Sequence, residues 1–198
     1  MPLGDIRPIK AELRDYYKNL RRTMEPKVKK ALDEKITDRV TKLWQYKECE
    51  VLLTYVSTAI EVDTMQLIAK ALKDGKRVAA PRCIPGTCDM DFYYIDSTEC
   101  LEPGSFGVLE PVPEKCKKLS DMSEGLCIAP ALCYDWKGFR LGYGKGYYDR
   151  FLTRFQGTVV GICYSSCIRR KIPHGRFDRP VELLVTDQYL RRTVPETK

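Results

Sequence analysis

The chain is 198 residues long, 43% hydrophobic and 31% charged, which are ordinary values for a globular protein and exclude disorder, collagen and a disulfide-stabilised miniprotein. At this length one domain over residues 1–198 is expected, and no apolar run is long enough to span a membrane. The first ten residues lack the apolar stretch of a signal peptide. A cytoplasmic protein with nine reduced cysteines is therefore predicted, and without a CxxC pair a zinc site is not expected.

The formal net charge of +7 is concentrated near the N-terminus, where residues 1–47 hold 13 lysines and arginines against 7 acids. Such a segment suits nucleic acid, a membrane surface or a phosphate-bearing ligand, or it is simply a solvated helix face. The chain shows no zinc-finger, helix-turn-helix or RNA-binding signature, so neither a nucleic acid partner nor a membrane is expected. No coiled-coil seam is visible, which favours a monomer.

The predicted elements alternate along the chain. Helices are predicted over 9–22, from Pro26 to about residue 44, over 61–74 and over 145–155; strands are predicted over 50–56, 77–81, 90–95, 126–130, 158–164 and 182–186. The stretch 96–125 is rich in Pro, Gly, Ser and Glu and is predicted to be loop. Strand–helix alternation of this kind predicts an α/β fold with a mostly parallel sheet.

The most informative segment is GFRLGYGKGYYDR at 138–150, which interleaves four glycines with Arg140 and Lys145. Glycine lets backbone N–H groups approach an anion closely, and a helix N-terminus favours phosphate. Lys145 and Arg140 would add positive charge for phosphate oxygens, and Asp149, one turn into the predicted helix, is a plausible ligand for a phosphate-bridging Mg²⁺.

Two familiar phosphate loops do not fit this segment. A Walker A loop requires glycine at position 139, where this chain has Phe139, and Ser or Thr at Gly146. A Rossmann fingerprint requires GxGxxG directly after a strand, whereas the spacing here is GxGxG. Taken as a bare pattern, the segment fits a structural turn as well as a phosphate site.

The same segment closely resembles the signature of the 5-formyltetrahydrofolate cyclo-ligase family. Further matches follow in chain order: KAELR at 10–14, Glu61 in a strand-to-helix turn, GSFGVLEP at 104–111 and PALCYD at 130–135. The resemblance implies a three-layer, Rossmann-like sheet with helices on both faces. The chain departs from the family pattern before its last strand, where Phe177 occupies the position of a histidine.

The resemblance also implies a reaction in which ATP and 5-formyltetrahydrofolate give 5,10-methenyltetrahydrofolate, ADP and phosphate, with Mg²⁺ as the metal. Lys145 and Arg140 would act on the transferring phosphoryl group. The implied ATP-binding residues are Lys10, Arg14, Arg140, Leu141, Gly142, Tyr143, Gly144, Lys145, Gly146, Tyr147 and Tyr148. The implied folate-binding residues are Val56, Glu61, Met90, Phe106 and Tyr147. Asp149 and Asp187 would hold Mg²⁺.

Two other functions fit parts of the pattern. A folate- or sugar-phosphate-binding module of the same fold would use the loop without cyclising anything. A basic RNA-associated protein would use the charge of the first 47 residues, and its binding would depend steeply on salt. The charge lies in two predicted helices and is not interleaved with aromatic residues on strands. The 138–150 segment keeps Gly, Lys and Asp together, so the enzyme is favoured.

Overall fold

The structure is a computed structural model and describes residues 5–193, apart from the side chain of Phe106. The helices in this range are α1 (Arg7–Arg22), α2 (Pro26–Lys42), α3 (Trp44–Glu48), α4 (Met65–Lys73) and α5 (Tyr147–Phe151). The strands are β1 (Val51–Thr54), β2 (Arg77–Cys83), β3 (Met90–Ile95), β4 (Leu101–Pro103), β5 (Leu109–Pro111), β6 (Leu126–Ala129), β7 (Cys133–Asp135), β8 (Arg140–Leu141), β9 (Thr158–Ile162), β10 (Ile168–Arg169), β11 (Leu183–Val185) and β12 (Leu190–Arg192). None of these helices combines the length and the apolar composition needed to cross a bilayer.

The main sheet has seven strands in the order β12-β11-β9-β6-β1-β2-β3. The five central strands, from β11 to β2, run parallel to one another. The edge strands β12 and β3 pair antiparallel with their neighbours. Every residue of β1 and β6 is buried, as expected for strands covered on both faces. The prediction of an α/β fold with a mostly parallel sheet is confirmed.

The connections of β1 and β6 diverge. β1 continues through α4 to β2 on one side, and β6 continues through α5 to β9 on the other. Because such crossovers are right-handed, α4 and α5 cover opposite faces of the sheet. α2 packs against α4 and β11, whereas Phe151 of α5 packs against Phe92 of β3 with ring centroids 4.6 Å apart. In folds of this kind ligands bind in the region beyond the carboxyl ends of the two diverging strands. We call this region the switch point.

The helix predicted over 145–155 is wrong in its bounds, because α5 spans only Tyr147–Phe151. Gly146, the residue before α5, has a φ of +78°. A regular helix cannot pass through this left-handed backbone, so α5 begins directly after it. Beyond Phe151 the chain continues as turns. The helix predicted over 61–74 also starts later than predicted, at Met65.

Two small sheets are absent from the sequence-based prediction. One has three strands in the order β10-β7-β8, and the other is the hairpin β4-β5 within the predicted loop 96–125. Each of these strands has only two or three residues. Segments this short cannot display the alternation from which a strand is recognised. The three-stranded sheet matters for the site because β8 belongs to the 138–150 segment and leads directly into its glycines at 142–146.

Candidate active site

The glycine-rich loop, residues 142–146, joins β8 to α5. Gly144 has a φ of +106°, a left-handed backbone that glycine adopts without strain. Arg14 of α1 lies against this loop. Its Nε donates a hydrogen bond of 2.9 Å to the carbonyl oxygen of Gly142, and a Cβ at Gly144 would stand 3.2 Å from its Cζ. The structure therefore brings the first helix, with its positive charge, onto the loop.

The loop exposes some of its side chains and follows a buried residue. Leu141, the last residue of β8, is buried, so it can contribute only its backbone to the loop surface. Lys145 and Tyr143 are exposed. An exposed ammonium group beside a left-handed glycine is suited to contact a phosphate that the loop's N–H groups approach.

Arg140 and Asp149 form a buried ion pair between Nη2 and Oδ1. The second terminal nitrogen of Arg140, Nη1, donates to the carbonyl oxygen of Arg179 over 2.7 Å. Burial raises the pKa of Asp149, while the Arg140 guanidinium and the N–H of Arg179 oppose this rise. Arg140 therefore ties the loop and α5 to the segment around residue 179, which makes it a positioning residue in the structure.

Lys10 and Asp178 form a second ion pair beside the first. Lys10 Nζ lies 2.9 and 2.8 Å from the two carboxylate oxygens of Asp178. The N–H of Gly175 also donates to this carboxylate, over 2.6 Å. The negative charge of Asp178 contributes to the raised pKa of Asp149. The two acids, Asp149 and Asp178, thus belong to one charged cluster with Lys10 and Arg140.

Asp187, the second predicted metal ligand, has a different environment. Its carboxylate oxygens accept hydrogen bonds from Ser165, one from the backbone N–H at 2.6 Å and one from Oγ at 2.9 Å. In the part of the chain that the structure describes, no contact joins Asp187 to Asp149, and no three or more His, Cys, Asp or Glu residues are grouped to hold a metal. The acid that the fold places in one cluster with Asp149 is Asp178, which directly follows Phe177 at the departure from the family pattern.

Glu61 lies buried in the turn between β1 and α4. Its Oε2 accepts hydrogen bonds from Thr58, from the backbone N–H at 2.8 Å and from Oγ1 at 2.9 Å. The turn itself is held by Thr64, whose Oγ1 donates to the carbonyl oxygen of Tyr55 over 2.6 Å. A carboxylate held in this way beyond the end of β1 can accept hydrogen bonds from the N–H groups of a polar ring.

Two tyrosines of the 138–150 segment are affected by the charge of Glu61. The Tyr143 hydroxyl lies next to the side chains of Glu61 and Thr58, and burial followed by the Glu61 charge raises its pKa. The Tyr148 hydroxyl is buried and has no hydrogen-bond partner in residues 5–193. Burial raises the pKa of Tyr148, and the Glu61 charge adds to this effect. Both residues were predicted to bind ATP, but in the structure the Tyr143 hydroxyl lies beside the carboxylate predicted for folate.

The other residues that were predicted to bind folate lie in different environments. Val56 and Met90 are buried, with 3% and 2% of their surfaces exposed, so they act as core residues in the ligand-free chain. Tyr147 reaches from α5 to the loop between β2 and β3, where its hydroxyl donates to the carbonyl oxygen of Thr87 over 3.3 Å. The side chain of Phe106 lies outside what the structure describes.

Arg21 is a residue that sequence reasoning missed. It ends in a buried guanidinium at the switch point, where it donates to the carbonyl oxygens of Ile60, Ala131 and Leu132. In the sequence it is one of several basic residues of α1, and nothing distinguishes it from its neighbour Arg22. Only the packing of α1 across the strand ends reveals its position.

The fold and this site define a class of protein: an α/β enzyme in which a basic glycine-rich loop lies beside a buried carboxylate at a switch point. The loop suits an anionic group, and the buried Glu61 carboxylate beside the Tyr143 hydroxyl suits a polar ring.

Comparison with known proteins identifies the family. The sequence model of the 5-formyltetrahydrofolate cyclo-ligase family matches residues 7–187. A probable 5-formyltetrahydrofolate cyclo-ligase of Schizosaccharomyces pombe is 34% identical, covering 80% of this chain and 85% of that protein. The 5-formyltetrahydrofolate cyclo-ligase of Mus musculus is 30% identical, covering 89% and 90%. The NMR structure of Aquifex aeolicus 5,10-methenyltetrahydrofolate synthetase has a TM-score of 0.82 at 30% identity, over 96% of this chain and 95% of that one.

The chain belongs to the 5-formyltetrahydrofolate cyclo-ligase family, a family of enzymes that act on small molecules. The resemblance seen in the glycine-rich segment is thereby confirmed, and so is the prediction that the protein is an enzyme.

Proposed function

We propose that this chain catalyses the ATP- and Mg²⁺-dependent cyclisation of 5-formyltetrahydrofolate to 5,10-methenyltetrahydrofolate, releasing ADP and phosphate. The observation that carries the proposal is the position of Tyr143. It belongs to the glycine-rich loop, yet its hydroxyl lies beside Glu61. A phosphate on the loop and a pterin ring on Glu61 would therefore share one site.

The chemistry explains why such a shared site is needed. A formyl group on nitrogen is amide-like and a poor electrophile. Transfer of the γ-phosphoryl group of ATP to the formyl oxygen releases ADP and gives an iminophosphate, in which that oxygen has become a good leaving group. N10 then attacks the formyl carbon and loses its proton, and phosphate departs with the oxygen. The main tasks of the protein are to position the two substrates and to stabilise phosphoryl charge.

The residues divide these tasks according to their positions. Lys145 and the loop N–H groups would contact the phosphates, and Arg14 would add charge from α1. Arg140 would hold the loop in place through its contacts with Asp149 and Arg179. Glu61 would accept hydrogen bonds from N–H groups of the pterin ring, which fixes the formyl group relative to the loop.

The carboxylates near the loop fit a magnesium ion. Mg²⁺ prefers oxygen ligands and is commonly held by one or two carboxylates together with substrate phosphates. Asp149 and Asp178 fit this requirement, because both are acids of the charged cluster and are now neutralised by Arg140 and Lys10. When bound, the ion would neutralise phosphate charge. The Asp187 carboxylate fits less well, because it accepts its hydrogen bonds from Ser165 and no contact in residues 5–193 joins it to Asp149 or Asp178.

The test is the near-ultraviolet absorbance of the purified protein mixed with 5-formyltetrahydrofolate, ATP and Mg²⁺. The conjugated methenyl product absorbs where the formyl substrate does not, so a rise that requires both ATP and Mg²⁺ is expected. A flat trace from folded protein that still binds ATP in a thermal-shift assay would overturn the proposal and favour the binding module.

The metal assignment makes a separate prediction. Asp149→Asn and Asp178→Asn should each raise the Mg²⁺ concentration needed for half-maximal activity about tenfold, because each removes a carboxylate from the charged cluster. Asp187→Asn is the matched control: it should leave the Mg²⁺ requirement unchanged while lowering the melting temperature through lost hydrogen bonds to Ser165. If Asp187→Asn shifts the requirement and Asp178→Asn does not, the assignment is wrong.

A further inference from the structure

Arg21 carries a permanent positive charge into the interior. Its guanidinium cannot be deprotonated in a protein, and only 3% of the residue is exposed. It donates to three carbonyl oxygens, those of Ile60 (3.3 Å), Ala131 (2.6 Å) and Leu132 (2.9 Å). Ile60 directly precedes Glu61, and the other two residues follow β6. Arg21 therefore fixes both sides of the switch point to α1.

A buried charge of this kind requires a counter-charge. Carbonyl oxygens supply only dipoles, and no carboxylate of residues 5–193 forms an ion pair with Arg21. The acids in the neighbourhood are engaged elsewhere. Asp33 pairs with Lys29 at 2.7 Å and accepts a hydrogen bond from Tyr164, and Glu61 accepts two from Thr58.

Besides the three carbonyl oxygens, the Arg21 guanidinium contacts a sulfur atom. Nη2 lies 3.3 Å from Sγ of Cys163, the residue after β9. The chain then turns back through Ser165–Cys167, so that Cys163 Sγ lies 3.7 Å from the carbonyl oxygen of Cys167. Neither cysteine has any exposed surface. Two thiols and one guanidinium thus share a closed space.

The surroundings favour one negative charge on this pair. A hydrogen bond from the Cys163 thiol and the Arg21 guanidinium lower the pKa of Cys167 to about 6, against the effect of burial. Burial raises the pKa of Cys163, so the pair keeps one proton near neutral pH. The other titratable side chains that interact with Arg21 or the pair are Tyr55, Cys133, Tyr134, Tyr143, Tyr164 and Tyr189. None of them is a carboxylate that would compete for the guanidinium.

We propose that Cys163 and Cys167 form a thiol–thiolate pair that supplies the counter-charge of Arg21, and that Arg21 so held is a positioning residue for the folate end of the site. The kinetic part of this proposal rests on the proposed function, whereas the charge state of the pair does not.

The first test is a pH titration of thiolate absorbance in the far ultraviolet, which needs no turnover. The parent protein should show one thiolate appearing with a midpoint near pH 6, the pKa of Cys167. Cys167→Ser should lose this step. Cys116→Ser, which replaces a buried thiol whose pKa burial raises to about 11, should keep it. Absence of the step in the folded parent protein would overturn the proposal, even if the enzyme proves active.

The pH dependence of the stability of the fold provides a second test, and the direction of the expected change is defined. The pKa of Cys167 in the folded chain lies below the ordinary 9.0 of a thiol, so the thiolate stabilises the fold above that value and loses this effect as the pH falls towards about 6. The melting-temperature advantage of the parent over Cys167→Ser should therefore grow as the pH rises between these limits. A constant advantage would indicate a packing effect alone.

The kinetic test asks whether the charge positions the folate site. Cys167→Ala should raise KM for 5-formyltetrahydrofolate about fivefold and change KM for ATP less than about twofold. Cys167→Asp restores a negative charge and should recover most of the folate KM, whereas Cys167→Ser should not. Equal changes in both KM values, or no recovery with Asp, would show a merely structural role. If the cysteine variants do not fold, Arg21→Lys is measured in their place. This variant keeps the positive charge but loses the planar guanidinium with its several N–H donors.

Discussion

Replacement of Lys145 by alanine is expected to lower kcat/KM for ATP by about a hundredfold, the usual loss when one preorganised charge on a transferring phosphoryl group is removed. Lys145 is exposed in the glycine-rich loop, next to the left-handed Gly144 and Gly146. Its ammonium is therefore suited to lie on the phosphates. The measurement is the initial rate of methenyl product formation at varied ATP and saturating 5-formyltetrahydrofolate.

Lys115 provides the matched control for this experiment. It is also an exposed lysine, but it belongs to the segment after β5 and not to the glycine-rich loop. Lys115→Ala removes the same charge from the protein and should leave kcat/KM for ATP unchanged. Melting temperatures of both variants should match the parent. If Lys145→Ala retains full ATP-dependent turnover, the loop is a structural turn.

Arg140→Gln should have the largest effect on stability, about 2 kcal/mol, because it removes the buried partner of an ion pair; the loss is below that for a fully buried pair, since the remaining carboxylate can still reach water. The Arg140 side chain is 3% exposed and that of Asp149 is 28% exposed. The variant also loses the hydrogen bond to the carbonyl oxygen of Arg179. Urea unfolding with an unchanged m-value is the measurement, and turnover should fall with stability because the loop loses its anchor.

The pH dependence of this defect has a definite sign. Burial already raises the pKa of Asp149, and without the guanidinium that pKa should rise further. A carboxyl group whose pKa is higher in the folded chain destabilises the fold as the pH rises past its unfolded pKa. The defect of Arg140→Gln should therefore be largest at neutral pH and shrink in acid. The double variant with Asp149→Asn should recover part of the loss, and strict additivity of the two single variants would contradict the pairing.

Much of the main sheet could be predicted because its strands are continuous apolar runs. The runs at 50–56 and 126–130 contain β1 and β6, whose residues are all buried. The two small sheets could not be predicted, since strands of two or three residues leave no periodic pattern. The start of the helix predicted over 145–155 was misplaced because Gly146 takes a left-handed backbone conformation, which the residue type permits but does not require.

The candidate site was only partly accessible from the sequence. The 138–150 segment and Glu61 are marked by a local motif, whereas Asp178 and Arg21 depend on contacts between distant parts of the chain. Asp178 is 168 residues from Lys10, and Arg21 is 111 residues from Leu132. Contacts between residues so far apart cannot be recognised from the spacing of residues within a local motif. The roles of the individual site residues remain predictions that the variants above address.

The packing of α1 also has a consequence for how the protein is made. α1 leaves the ribosome before the residues that it contacts, because Arg14 bonds to a residue 128 positions later and Lys10 to one 168 positions later. During translation this basic helix is therefore synthesised well before the residues that it contacts. Nascent chains that stop before residue 178 lack the acid that pairs with Lys10, so the charged cluster is completed only after Asp178 has been added.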